Sequence, residues 1–554
     1  MGNNMRLYKI IALSGAFALV GSACADLAVT NFNDPDRERA ITTPSDVETL
    51  ISGSFSTWWG VAHYSYPGSA LSTSADAHSS SWGNWGMRNA GWEPRIEFDN
   101  SPSYSYNNVT ETPWQDSYAA LAGVRDGLVA ISEGIVIMEG EDDVTQRAVA
   151  FGKFVQALSL SNLAMLFDQA FVVDETSDLE SLELVPYDQV WAAAQTKYAE
   201  AMTIAGSNTF TIPASWVAFK TSWSQDDFAD FMRAFRTRYS TQIHRTEAAR
   251  TGMDWAGVLT DLSGGLPFEF VGEYDGNNWA WMRDKLHTAA QSGWGRIDIR
   301  TIGPADVSGA WETWLAAAPD DRLPFDVVTP DSRITEPGNP QGNGKYMRYY
   351  GNSPFPASRG MYHYSHYMDQ RWRPLNIAPD RIGDYPDFVD KEIDFLRAEA
   401  MYRTGDTAGA MAIVNTWRAN GDLPPFTTTA NPDPPASCVP QMPDGSCGDL
   451  WEAFKYEKRI ELFHYGFGTE YFDDRGWGDL VEGTFINLPV PGSELLLMQM
   501  EIYSFGGPGA GAPGGGVTPN LISDFSPSAL RWKAEAYEAY RESRRERIDA
   551  DIIN

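Results

Sequence analysis

Two short stretches carry the residues best suited to ligand chemistry. Trp82-Gly83-Asn84-Trp85 holds two indoles three positions apart with an amide between them. Asn277-Asn278-Trp279-Ala280-Trp281 holds two more indoles, two positions apart, beside two amides. A turn, or a polyproline-like stretch with three residues per turn, puts Trp82 and Trp85 on one side. An extended stretch does the same for Trp279 and Trp281. Flat indole faces stack on the C–H faces of sugar rings, and Asn84 and Asn278 supply donors and acceptors for hydroxyls. Both stretches lie among Ser, Gly and Asn and not on an amphipathic helix, so neither has an evident core role. The competing reading is that such rings staple long loops to a scaffold. About half of the 20 Trp fall in residues 58–112 and 277–314, and this grouping in polar loops favours a binding face.

Other chemistry has little support. No H-E-x-x-H or G-x-S-x-G occurs, and Gly338 to Lys345 has the wrong spacing for a phosphate loop, with Tyr346 where Ser or Thr is needed. With 74 acidic residues, some carboxylate pair can always be proposed for glycoside hydrolysis, so none carries weight. His363 and His366 sit in an aromatic run and read as loop hydrogen-bonders. Neither a cofactor nor a metal is expected. Cys438 and Cys447 lie in a Pro/Gly-rich loop. Their spacing lacks a second pair or a nearby His to complete a zinc site, so in an oxidising compartment they close a disulfide. A formal charge of −32 argues against nucleic-acid binding, which needs cations against phosphates, and keeps an exposed protein soluble.

The N-terminus sets the compartment. Met5 to Lys9 is basic, Ile10 to Val20 is apolar and short, and Gly21-Ser22-Ala23-Cys24 follows. This resembles a bacterial lipoprotein signal in which Cys24 becomes the lipidated first residue, although Gly21 stands where Leu is usual. An ordinary secretory signal is the alternative. Residues 24–45 then form a polar tether.

The remaining elements must hold the two Trp stretches. Ser45 with Glu48 reads as a capping box opening a helix over Asp46 to Trp59. Periodicity vanishes from Gly60 to Thr112. Helical spacing returns over Trp114 to Ile137, Val144 to Asp168, Tyr187 to Ala205 and Phe228 to Arg250, with Pro113 and Pro186 at helix starts. Residues 253–385 are irregular and rich in Trp, Tyr, Asn and Gly. Lys391 to Gly421 reads as a helix, a turn at Gly405-Asp406-Thr407 and a second helix, the anatomy of a tetratricopeptide-like hairpin. Trp451 to Leu480 starts as a charged helix and breaks at Gly466. Gly506 to Gly516 is low-complexity, and Pro527 to Ile548 reads as a last helix.

The last two helical stretches resemble the SusD/RagB family of nutrient-binding outer-membrane lipoproteins. Leu396, Ala398, Glu399, Ala400, Gly405, Ala410, Asn415 and Arg418 match its helical pair. Glu457, Arg459, Glu461, Leu462, Gly466, Asp473, Trp477 and Gly478 match its second block, and Leu488 to Leu495 its C-terminal segment. Tyr465 replaces the family's Glu, and Gly476 stands where the family has Arg. The resemblance implies a mostly α fold, a tetratricopeptide-like α/α superhelix with long aromatic-rich loop insertions. Its segments are a signal peptide (1–23), a tether (24–45), an N-terminal helical region (46–250, with a loop at 60–112), an irregular region (251–385) and a C-terminal region (386–554). It also implies a non-enzymatic protein, lipid-anchored at the outer membrane, that captures an oligosaccharide or a peptide-derived nutrient for a TonB-dependent transporter. A secreted glycoside hydrolase and a pure interaction scaffold are the alternatives.

Overall fold

A computed structural model describes residues 43–63, 66–80, 82–217, 221–274, 295–351, 365–374, 383–434, 437–508 and 520–521. Cys24, the tether to residue 42, Asn278, Trp279, Trp281, His363, residues 509–516 and the expected last helix lie outside the described residues.

The longer helices are α1 (Pro44–His63), α2 (Asn108–Ser132), α3 (Thr145–Leu166), α4 (Tyr187–Ser207), α5 (Gln225–Gln242), α6 (Asp390–Arg403), α7 (Thr407–Arg418), α8 (Leu450–Leu462) and α9 (Thr469–Trp477). Sequential helices pack as neighbours: α1 on α2, α2 on α3, α3 on α4, α4 on α5, and α6 on α7 with α8 across both. That is the stacked-hairpin arrangement of a tetratricopeptide-like scaffold. Helix α3 is apolar and long enough to cross a membrane, yet most of its residues are buried against its neighbours, as befits a core helix. Among the described residues the strands form only two-stranded pairs.

Several boundaries differ from expectation. The capping box of α1 is made by Thr43 and Asp46, two residues before the expected pair. Asp46 N donates to Thr43 Oγ1 at 3.2 Å, and Thr43 N donates back to Asp46 Oδ2 at 3.0 Å. Ser45 instead accepts from Thr49 through its carbonyl. Helix α2 begins at Asn108, so Pro113 falls inside it. The stretch 60–112 is less loop-like than its composition suggests. Gly68–Ser74 is a short helix with every residue buried. Two of its four hydroxyls bond the preceding turn, Thr73 Oγ1 on Ser69 O and Ser74 Oγ on Leu71 O, both at 2.8 Å, and Ser72 Oγ meets His78. Small residues with internally bonded hydroxyls can be buried at little cost, and a composition count misses this.

Charged residues of the C-terminal blocks form a buried frame. Arg250 donates to both oxygens of Glu399, at 2.8 and 2.7 Å, and to Asp473 at 2.9 Å. Arg333 reaches Asp331, Glu457 and Glu461, and Arg418 also meets Glu457. Arg238 on α5 meets Asp387 and Glu392. Gly476 has a physical reason: a Cβ there would lie 2.8 Å from Arg250 Cδ, so its absence lets that guanidinium pass to Glu399. Tyr465 likewise has a role, packing edge-on against Trp372 at 5.1 Å with Lys391 Nζ 4.5 Å above its ring. The hairpin turn is as expected, with Gly405 at φ +93° and Asp406 capping α7 through Gly409 N.

Candidate ligand-binding site

A thin layer of strands leads to the site. Strands β1 (His78–Ser79) and β3 (Arg296–Ile297) are antiparallel, with Ser79 opposite Arg296. The intervening β2 (Phe270–Tyr274) pairs instead with β6 (Gly383–Phe388) and packs into the main core. Ser365 N donates to Ile297 O at 3.1 Å, leading into β5 (Tyr367–Asp369). Strand β4 (Met347–Tyr349) pairs with β5, and Tyr350 N continues that ladder to His366 O at 2.8 Å.

Strand β1 is pinned from below. His78 is fully buried, with Nδ1 2.9 Å from Ser72 Oγ and Nε2 3.1 Å from Thr73 Oγ1. Burial pushes its pKa down to about 3, so the ring is neutral at ordinary pH. Three residues past Ser79, the chain reaches Trp82.

Trp82, Asn84 and Trp85 are each half-buried and lie in or beside a 3-10 turn over Asn84–Gly86, followed by a short helix at Met87–Ala90. Trp85 adopts φ 56°, ψ 21°, a left-handed conformation. A bulky non-glycine residue seldom does so, and a residue held there at a cost points to a function for its side chain. Gly83 is needed for a close approach, since a Cβ on it would meet the Tyr106 hydroxyl at 2.5 Å. Tyr104 and Tyr106 meet edge-on at 5.6 Å, and Asn89 Nδ2 donates to Tyr104 Oη at 3.1 Å. Burial, together with nearby Asp99, Tyr106 and Tyr66, outweighs the Asn89 bond and pushes Tyr104 up to about 12, which keeps it a neutral phenol. Trp92 is half-buried, and the exposed Arg88 guanidinium sits 5.6 Å over its ring. The result is a ridge of partly exposed rings with amides between them.

The ridge is anchored from the C-terminus. Asn100 Nδ2 donates to Val490 O at 3.0 Å and to Tyr503 O at 2.9 Å, and Arg95 Nε to Thr484 Oγ1 at 2.9 Å. The segment 488–495 thus braces the loop that carries the rings. Of the expected site residues, Trp82, Asn84 and Trp85 fall together here, while Asn278, Trp279 and Trp281 are outside the described residues.

A second group, linked to β1 through the pairing of Arg296 with Ser79, was missed by sequence reasoning. Around the half-buried Tyr350 ring lie the guanidinium carbons of Arg296 at 5.0 Å and Arg348 at 5.1 Å, and Arg373 Nη1 is 3.5 Å from its hydroxyl. The i, i+2 alternation of Arg348 and Tyr350 was the available signal. Tyr349 points the other way, with its hydroxyl on Asp326 at 2.9 Å; His366 Nδ1 lies 2.6 Å from the same carboxylate.

A cavity of about 310 Å³ lies elsewhere, lined by Asp76, Arg300, Trp311, Tyr456, Arg459 and Asp474 among others. Its charges satisfy one another: Arg459 meets Asp474 at 2.7 Å and Asp479 at 2.6 Å, and Arg300 meets Glu93 at 2.7 Å. Cys438 and Cys447 are disulfide-bonded, with Cα atoms 5.7 Å apart, and the loop they close roofs this cavity through Pro440 to Pro443. Among the described residues, no group of three or more His, Cys, Asp or Glu is arranged to hold a metal.

No family model and no curated relative matches the sequence. Solved structures do. The fold is that of SusD-like proteins. A SusD-like protein from Bacteroides fragilis superposes with a TM-score of 0.51 at 16% identity, over 78% of this chain and 86% of its own. A SusD-like carbohydrate-binding protein from the same species superposes with a TM-score of 0.51 at 15% identity, over 88% of this chain and 96% of its own.

Proposed function

We propose that this chain is a non-enzymatic, surface-exposed capture protein that holds an oligosaccharide on the Trp82–Trp92 ridge and passes it to a TonB-dependent outer-membrane transporter. The observation that carries the proposal is the left-handed backbone of Trp85 inside a ridge of half-buried rings, a conformation held at a cost. The carbohydrate-binding protein with the same fold supports the ligand class. The signal-like N-terminus supports an anchor at Cys24, whose several acyl chains would hold the protein stably at the membrane. Asn278, Trp279 and Trp281 are assigned to the same site on sequence grounds. A peptide-derived nutrient is the second ligand class within this reading.

Incubation with a panel of oligosaccharides tests it. Retention without turnover is the expected result. Release of shorter products would make the chain a glycoside hydrolase, and absence of any retained ligand would leave a scaffold. For the anchor, Cys24→Ala should move the protein from the membrane fraction to the soluble fraction, and unchanged membrane association would refute lipidation there.

A further inference from the structure

We infer that the ligand is an acidic oligosaccharide, whose uronate or sulfate group docks on the Arg348–Tyr350–Arg373 cluster while neutral rings stack on the Trp82–Trp92 ridge. This rests on the glycan-capture reading above and adds the charge of the ligand to it.

The argument begins with counting charges. The chain has 42 basic and 74 acidic residues, so a cation has many acids to choose from. Most described cations have found one, from Arg95 with Asp76 to Arg459 with Asp474. Arg245 and Arg475 do not, but both are buried and spend their donors on backbone carbonyls of residues 164, 167, 165, 242 and 486. Arg296 is buried as well and donates to Gly295 O. Arg88, Arg348 and Arg373 remain; Arg88 and Arg348 lie over aromatic rings, Arg373 meets the Tyr350 hydroxyl, and among the described residues none of the three meets a carboxylate. All three are at least partly exposed.

These arginines are also close to one site. Arg348 and Arg373 share the Tyr350 ring with Arg296, which is paired with Ser79 on the strand that runs into Trp82. Three residues of extended chain span at most about 10 Å, so Trp82 lies within about that distance of Ser79, the residue opposite Arg296. Arg88 stands on the ridge itself, over Trp92. Asp326 and Asp369 are the acids beside this part of the sheet. Asp326 is taken by Tyr349, His366 and Gln341, and Asp369 by Arg371.

Guanidinium groups gathered within about 10 Å repel one another at physiological salt unless an anion sits among them. Their planar forks match a carboxylate or sulfate in two-pronged fashion. Tyr350 holds the planes in position, with its hydroxyl 3.5 Å from Arg373 Nη1. A neutral glycan can accept hydrogen bonds from these donors but leaves their mutual repulsion unrelieved.

The test is calorimetry on the full chain with three probes: a short oligogalacturonate, a chondroitin sulfate oligosaccharide and a maltooligosaccharide. An acidic probe should bind more tightly than the neutral one and weaken as salt is raised. Arg348→Gln with Arg373→Gln should lower that affinity about tenfold or more, the factor expected from one lost charge-assisted hydrogen bond, with melting unchanged. Arg348→Lys with Arg373→Lys should recover part of it. Binding of the oligogalacturonate assigns the site to a carboxylate; binding of the chondroitin sulfate alone, which carries both groups, assigns it to the sulfate. If the maltooligosaccharide binds as well as both acidic probes, or the double Gln variant binds them like wild type, the inference fails while the capture reading stands. If none of the three is retained, both fail. A melting point lowered equally by the Gln and Lys pairs would show the arginines to be loop staples and overturn the inference.

Discussion

Arg250 and Glu399, 149 residues apart in sequence, form a two-pronged pair at 2.8 and 2.7 Å with both side chains wholly buried. Asp473 closes the group at 2.9 Å, and Trp477 Nε1 donates to Glu399 at 3.1 Å. The group ties the short helix after α5 to α6 and α9. Removing one partner strands a buried charge, which costs far more than the pair contributes. Arg250→Ala should therefore destabilise the protein by about 3–5 kcal/mol. Gly476→Ala should act in the same direction by displacing Arg250. Urea unfolding of each variant checks this, and an unchanged midpoint for Arg250→Ala would contradict the structure.

Trp85 offers a way to separate stability from binding. Asn tolerates the left-handed region far better than Trp. Trp85→Asn should leave the melting temperature unchanged or slightly raised, because the backbone cost falls as packing is lost. Ligand affinity should fall roughly tenfold, at about 1–3 kcal/mol per stacked ring. A clear loss of melting temperature would identify Trp85 as a structural staple.

His78 makes the base of the ridge acid-sensitive. Unfolded, the ring takes a proton below about 6.5, whereas burial holds the folded-state value near 3. The contribution of neutral His78 is therefore complete above pH 6.5 and is lost as pH falls towards 3, by up to about 1.4 kcal/mol per pH unit. Asp474 works the other way. Burial and Asp479 outweigh Arg459 and raise it to about 7, so its penalty is relieved as pH falls. The measurement is thus the stability difference between wild type and His78→Gln. It should shift in favour of the variant below pH 6.5 and stay constant above it. A constant difference across the whole range would show that His78 is not held neutral.

The Cys438–Cys447 bond closes a loop of about ten residues, which corresponds to roughly 2–3 kcal/mol. Cys438→Ser with Cys447→Ser should cost that much and loosen the roof of the cavity at Arg459 without altering ligand affinity. Equal stability in the presence and absence of reductant would show that the loop is held without it.

The helical scaffold was legible in the sequence because its signals are local. The period of α3 and α4, the turn at Gly405-Asp406 and the break at Gly466 all arise from neighbours within a few residues. The buried frame was not, since Arg250 carries no local mark of its partnership with Glu399, and Gly476 reads as a departure until Arg250 is seen passing over it. The site was half legible. Trp82, Asn84 and Trp85 were proposed from type and spacing, and the structure brings them together in one turn, which proved to need a left-handed Trp. The cluster at Tyr350 was hidden because three distant segments meet only where β4 pairs with β5 and Ser365, just before β5, bonds Ile297 of β3. The short buried helix at Gly68–Ser74 was missed because Ser and Gly count as loop formers even when their hydroxyls are bonded internally.

The most direct test of the capture account is calorimetry of the Trp82→Ala, Trp85→Ala double variant against a retained oligosaccharide, run beside its melting curve and beside a Trp279→Ala, Trp281→Ala double variant. Loss of roughly 1–3 kcal/mol of binding free energy per ring, with melting unchanged for the first pair, is the predicted result. Full affinity in the Trp82, Trp85 variant, or a large drop in its melting temperature, would contradict the claim that these rings form the ligand platform.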